Sequence, residues 1–164
     1  MQENFRNKIA GIIRNNARLT DGEIAAALGV SAAEVAAEIE GLENEGLIAG
    51  YAAIIDEEKL NKNSATAMIE LKVSPQAGVG YTELARKIAN YREVEAVVLF
   101  SGAFDLAVTV RAEDFREITM FVSERLAPLD GVLSTTTHFV LERFKEKNFL
   151  FSAEEYDERG FVSP

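Results

Sequence analysis

The residues with the most chemical potential in this sequence stand in one short break, Ser101-Gly102-Ala103-Phe104-Asp105, between two apolar runs. Gly102 lets a backbone approach a ligand closely. Asp105 can accept hydrogen bonds from an ammonium group, and the N–H groups of Ala103 and Phe104 can take a carboxylate. The same five residues also read as a plain hairpin turn, with Gly102 at positive φ and Asp105 capping a neighbouring N–H. Other candidates are weaker. The only histidine, His138, sits in a strand-like run without a Ser or Cys nucleophile motif, which suits a sheet-surface or subunit-interface residue rather than a catalyst. Gly78-Val79-Gly80-Tyr81-Thr82-Glu83 begins like a dinucleotide fingerprint. Glu83, however, stands where the last glycine should be, and its carboxylate would repel a pyrophosphate. With no cysteine in the chain, disulfides and thiolate metal sites are excluded, and one histidine argues against a zinc site. No enzyme constellation and no cofactor motif survives this reading.

The elements that must position the turn follow from hydrophobic period. In 105–111, Leu106, Val108 and Val110 alternate with Asp105, Ala107, Thr109 and Arg111, the pattern of a half-buried strand. With 97–100 before the break, this predicts a β-hairpin at the middle of a sheet. Strand-like runs at 65–73 and 132–141 are each separated from the hairpin by a helical stripe. One stripe is Tyr81, Leu84, Ala85 and Ile88. The other is Phe115, Ile118, Phe121 and Val122 with Leu126 a turn later. The order β-α-β-β-α-β predicts a four-stranded sheet with both helices on one face. Thr66, Met68, Thr136, His138 and Val140 are left on the other face, a mixed surface suited to an isologous subunit contact.

Upstream, Phe5, Ile9, Ile12 and Ile13 predict a first helix. Thr20-Asp21-Gly22-Glu23 and Ser31-Ala32-Ala33-Glu34 are two capping boxes. They open a second helix that ends at Gly29 and a third that stops at Gly46, with Val35, Ile39 and Leu42 inward. So brief a Gly-containing connection predicts a helix-turn-helix. The run Leu47-Ile48-Ala49-Gly50-Tyr51-Ala52-Ala53-Ile54-Ile55 predicts a wing strand after it. The fold class expected is therefore α+β, a winged helix-turn-helix at 1–55 and a ferredoxin-like βαββαβ domain at 65–148. A polar linker with a helical turn joins them at 56–64, and an aromatic, acidic tail follows at 149–164 and is expected to pack on a neighbouring subunit.

At 164 residues and 48% hydrophobic, the chain supports two small cores. It holds no apolar run near the roughly 18 residues of a membrane helix, and no signal-peptide pattern, which predicts a cytoplasmic protein without a membrane partner. A formal net charge of −10 opposes nonspecific attraction to phosphate polyanions.

Leu42-Glu43-Asn44-Glu45-Gly46-Leu47-Ile48-Ala49-Gly50-Tyr51, Ser101-Gly102-Ala103-Phe104-Asp105 and Pro128-Leu129-Asp130-Gly131-Val132 together resemble the leucine-responsive regulator/AsnC (Lrp/AsnC) family of transcription factors. The resemblance spans 5–147. It implies a double-stranded DNA partner, a RAM-type sensing domain, homo-oligomers from dimers to octamers, and an amino-acid effector bound between subunits near the turn. It also implies that Thr135, Thr136 and Thr137 approach that pocket from an adjacent subunit. Two departures stand out. The third helix carries Glu34, Glu38, Glu40, Glu43 and Glu45 with no basic residue, and Ala103 replaces the first acidic residue of the family's turn.

Read as a DNA-binding face, the third helix offers Ala32, Ala33, Ala36, Ala37 and Glu40, which can touch thymine methyls or a cytosine amino group but cannot clamp guanine. Phosphate positioning then falls to Arg6, Lys8, Arg14 and Arg18 and to the helix N-termini at Thr20 and Ser31. The rival reading is an amino-acid-sensing oligomer that acts through protein partners with a vestigial helix-turn-helix. Relatives of the same plan that decarboxylate tetrapyrroles need His and Arg near the second sensor strand. Val94-Glu95-Ala96-Val97-Val98-Leu99-Phe100 has neither, so an enzyme is not expected.

Overall fold

A computed structural model describes residues 2–61, 63–74 and 80–151, in two compact units: the described residues up to Ile54 with Lys147–Phe149, and those of Ile55–Glu146 with Leu150 and Phe151. The tail beyond residue 151 and Gly78-Val79 lie outside the described residues.

The first unit is built from α1 (Gln2–Asn15), α2 (Asp21–Leu28) and α3 (Ala32–Asn44). Both predicted capping boxes form. Thr20 Oγ1 accepts the Glu23 N–H at 3.3 Å while the Glu23 carboxylate accepts the Thr20 N–H at 2.8 Å, and Ser31 and Glu34 repeat the exchange at 3.3 and 2.9 Å. Gly29 closes α2 at φ 70°, a left-handed position that a residue with a Cβ adopts only under strain, so the chain turns into α3 within three residues. Ile9, Ile24, Ala25, Val35 and Leu42 form the buried core. The predicted wing strand is a correction. Among the described residues 47–55 form no strand, and Leu47, Tyr51 and Ile55 are exposed. Strand backbone needs a neighbouring strand for its N–H and C=O groups, and among the described residues none pairs with this segment. The segment is instead tied to α3: Leu47 and Ile48 both donate to the Leu42 carbonyl, and the Tyr51 hydroxyl donates to Glu43 at 2.7 Å.

The second unit opens with the single helical turn α4 (Glu57–Leu60), then β1 (Ala65–Val73), α5 (Thr82–Ala89), β2 (Val94–Leu99), β3 (Leu106–Ala112), α6 (Phe115–Phe121), a π-helical turn (Val122–Leu126) and β4 (Val132–Phe139). A short hairpin, β5 (Lys145–Glu146) and β6 (Phe149–Leu150), follows. The four main strands form one antiparallel sheet in the order β2-β3-β1-β4. The β-hairpin forms as predicted but is not the middle of the sheet. β3 shares the centre with β1, and β2 lies at an edge. That fits their side chains: β1 and β3 bury alternate residues completely, while Val98 and Leu99 of β2 are 49% and 58% exposed. Ala65, Ala67, Ile69, Leu71 and Val73 pack with Leu106, Val108 and Val110 against Ile88 of α5 and Ile118 and Phe121 of α6, so both helices cover one face.

The π turn explains a spacing that an α-helix cannot. Phe121 and Leu126 are both buried although five residues apart, and the Ala127 N–H bonds the Val122 carbonyl. In continuous α-helix, Arg125 would sit four residues after Phe121 on the core side. The extra residue returns Leu126 to the core. Arg125 instead lies over the Tyr91 ring, 4.3 Å from its centroid, and bonds Glu93 at 2.7 Å.

Candidate functional site

The turn between β2 and β3 is fastened to three strands. The Phe100 N–H donates to the Asp105 carbonyl at 2.7 Å, which closes the loop, and the Asp105 N–H donates to the Leu71 carbonyl of β1 at 2.9 Å. The Asp105 carboxylate accepts the Val73 N–H at 2.8 Å. This is the capping role of the plain-turn reading, and it spends one carboxylate oxygen. On its other edge β1 leaves register with β4 at Lys72/Val73. Gly102 departs from expectation: its φ is not in the left-handed region, and a Cβ built on it meets nothing within 4 Å. Ser101, Gly102 and Ala103 are exposed, while the Phe104 ring leans on Phe100 at 5.2 Å. Among the described residues the N–H groups of Ala103 and Phe104 donate no hydrogen bond, which leaves both donors for an outside acceptor.

The three threonines do not share a surface. Thr135 pairs with Leu71 and Thr137 with Ile69, which puts both on the helix-covered face, whereas Thr136 pairs with Glu70 on the open face beside His138. Strand alternation dictates this separation. Thr135, Leu71, Leu106 and Leu99 form one row across the sheet. Two strand spacings, about 10 Å, therefore separate Thr135 from the root of the turn, and one chain does not bring them together. The open face carries its own pairs. His138 Nε2 lies 3.2 Å from Glu70, and Arg111 bridges Glu57 and Glu95. Arg111 was visible in the sequence only as an outward strand residue, because its partners are 16 and 54 positions away.

On the helical unit, Ala32, Ala33, Ala36, Ala37 and Glu40 are all exposed along α3 opposite buried Val35 and Leu42. The cations divide. Arg6 is committed to α3, its guanidinium 3.2 Å from Glu38 and 2.7 Å from Glu45. Lys8, Arg14 and Arg18 are exposed and form no ion pair among the described residues. Thr20 and Ser31 are spent on their capping boxes, and the helix N-termini are already held by carboxylates. Backbone N–H groups of Thr20 and Ser31 in turn keep the Glu23 and Glu34 carboxyls below the ordinary glutamate range. The hydrogen bond to the Glu43 carboxylate pushes the Tyr51 phenol above its ordinary range. Among the described residues no cluster of three His, Cys, Asp or Glu side chains could hold a metal ion, and no helix is long and apolar enough to cross a membrane.

Residues 66–150 match the family profile described as the Lrp/AsnC ligand binding domain. YugG, an HTH-type transcriptional regulator of Bacillus subtilis, is 40% identical over 158 residues, 96% of this chain and 95% of the relative. The leucine-responsive regulatory protein of Haemophilus influenzae is 27% identical over 143 residues, 87% of this chain and 86% of its own. Among solved structures, a transcriptional regulator of Neisseria meningitidis in complex with L-Met superposes with a TM-score of 0.69. It is 24% identical, over 86% of this chain and 90% of that one. AsnC of E. coli gives 0.65 at 19% identity, over 92% and 96%. At those identities the structural likeness is one of fold. The profile match over the sheet domain and the near full-length identity to YugG place this chain in the Lrp/AsnC family of transcriptional regulators.

Proposed function

We propose that this protein regulates transcription by binding double-stranded DNA through residues 1–55 as a helix-turn-helix unit. In this reading 56–64 is the linker, and 65–148 is a homo-oligomerising sensor for an amino acid. The observation that carries the reading is α2 joined to α3 by a three-residue turn, with an exposed α3 face of Ala32, Ala33, Ala36, Ala37 and Glu40, in a chain 40% identical to an HTH-type regulator. Small side chains let α3 lie close in a major groove, where alanine methyls meet thymine methyls and Glu40 accepts from a cytosine amino group. Affinity then rests on the phosphate contacts of Lys8, Arg14 and Arg18 and on several such units per particle, since linking sites raises avidity by about 10²-fold or more. The L-Met complex of the Neisseria neighbour supports an amino-acid effector, held by the turn Ser101–Asp105 and completed by threonines of another subunit. The relatives are regulators, which supports a non-enzyme working in the cytoplasm.

Anisotropy titration of the full chain on the DNA upstream of its own gene, at several salt concentrations, tests this. Replacing Arg14 and Arg18 together by Ala should lower affinity and flatten the slope of log K against log salt by about 2 per subunit. Identical curves for wild type and variant would remove these residues from the interface.

One observation favours the rival reading, a sensor that acts through protein partners. Glu23 and Glu34 sit at the very helix N-termini that would hold phosphates, and Glu38 and Glu45 neutralise Arg6. Absence of DNA binding down to low salt by an intact, amino-acid-binding oligomer would decide for it.

A further inference from the structure

An open cavity of about 320 Å³, more groove than chamber, lies between α5 and the hairpin, within the sheet unit. Its floor is Val97 and Leu99 of the edge strand with Leu106 of β3, and its wall is the Ala85 and Ala89 side of α5. Two alanines four residues apart, facing an edge strand, leave unfilled the space that larger side chains would close. Its polar lining includes Thr82 and Arg86, again four residues apart and so on one side of the helix. Arg92, Arg111, Arg125 and Arg143 each pair with a glutamate. Arg86, like Arg116 of α6, is exposed and forms no ion pair among the described residues. Carbonyls at the end of α5 attract Arg86 and Lys87 alike, but only Arg86 borders the cavity.

We infer that this cavity binds a small apolar monocarboxylate, its chain between α5 and the hairpin and its carboxylate on the Arg86 guanidinium and the Thr82 hydroxyl. The volume is at the lower end of small-molecule pockets, which suits an aliphatic acid of about four to six carbons. A guanidinium meets a carboxylate with two parallel hydrogen bonds. No Asp or Glu lines the cavity, so the ammonium of a free amino acid would find no counter-charge there. The site is therefore selective for the acid that lacks an amino group, a 2-oxo acid or a simple aliphatic acid. Leu99 and Leu106 are cross-strand partners at the root of the turn, so this occupant adjoins the turn without using Asp105. The inference goes beyond the amino-acid reading of the turn and does not rest on DNA binding.

Calorimetry on the full chain with 4-methyl-2-oxopentanoate, hexanoate and L-leucine tests it. Both acids should bind, the oxo acid at least tenfold more tightly to this site than L-leucine. Arg86→Gln should weaken both acids at least tenfold. Ala85→Phe, which fills the space, should abolish their binding, and Asp105→Asn should leave it unchanged. Arg86 is exposed, so its variant keeps the test valid if Ala85→Phe disturbs folding. No binding of either acid, or equal binding to Arg86→Gln, overturns the site. Loss in Asp105→Asn with Arg86→Gln intact moves the ligand to the turn and also overturns it. L-leucine that binds as well as the oxo acid and is lost in Arg86→Gln overturns the ligand class.

Discussion

Asp105 has two jobs that pull its carboxylate in different directions. One oxygen accepts the Val73 N–H and so holds the end of β1 to the hairpin. An ammonium bound at the turn would use the charge and the remaining lone pairs. Asp105→Ala removes both, and losing a charge-assisted hydrogen bond to backbone costs about 1.5–3 kcal/mol. Asp105→Asn keeps an acceptor for Val73 and loses the charge. We therefore expect denaturant unfolding of the Asn variant to stay within about 1 kcal/mol of wild type, while amino-acid affinity at the turn falls about tenfold or more. If the Ala variant proves as stable as wild type, the Val73 bond contributes nothing and the two roles need no separating. The candidate turn was legible in the sequence as a Gly-containing break with one carboxylate. Its anchorage was not, because the partner N–H lies 32 residues away on another strand.

Helix ends were the most legible elements. Ser31-x-x-Glu34 states its own hydrogen bonds, since the partners are three residues apart. Ser31→Ala should destabilise the helical unit by about 1 kcal/mol, read as a lower thermal midpoint by circular dichroism. The capping carboxylates also set a pH response. Glu23 and Glu34 have folded-state pKa values below their unfolded ones. Their contribution is therefore complete above the unfolded value, about 4.3, and is lost as pH falls through the lower folded value. Helix content followed from pH 7 to pH 3 should show that loss, and Glu34→Gln should make it shallower; an unaltered acid transition would mean that other carboxylates govern it. The predicted wing strand failed for the opposite reason. Residues 47–55 are apolar enough for a strand, but a ladder requires a second strand, and composition does not reveal whether one is at hand. The π turn was equally hidden, visible only as Leu126 falling one residue late.

At the scale of the molecule, the sequence told which elements exist and which face of each is apolar, while strand order came from the pairings of β1 with β3 and β4, 35 to 72 residues apart. That is why the hairpin looked central and β2 turned out to be an edge. Among the described residues neither α5 nor α6 covers the open sheet face, which carries Thr66, Met68, Thr136 and His138 and a His138–Glu70 contact at 3.2 Å. A mixed face of this kind suits a self-complementary contact. Light scattering at micromolar concentration should give a mass no smaller than a dimer, and Met68→Asp, placing a carboxylate beside Glu70 and its symmetry mate, should lower it. A monomer with and without amino acids would remove the inter-subunit effector site along with the assembly.

The π turn has a consequence for how this gene can change. Deleting any one codon from a helix normally rotates everything after it by about 100° and scrambles its buried face. Here the helix already carries one residue more than its core requires. Removing Ser123 or Glu124 would leave Phe121 and the residue now Leu126 four apart, the spacing that an α-helix buries on one side. An in-frame loss at this point should thus yield a folded protein melting no lower than its parent, whereas the same loss in α5 should not.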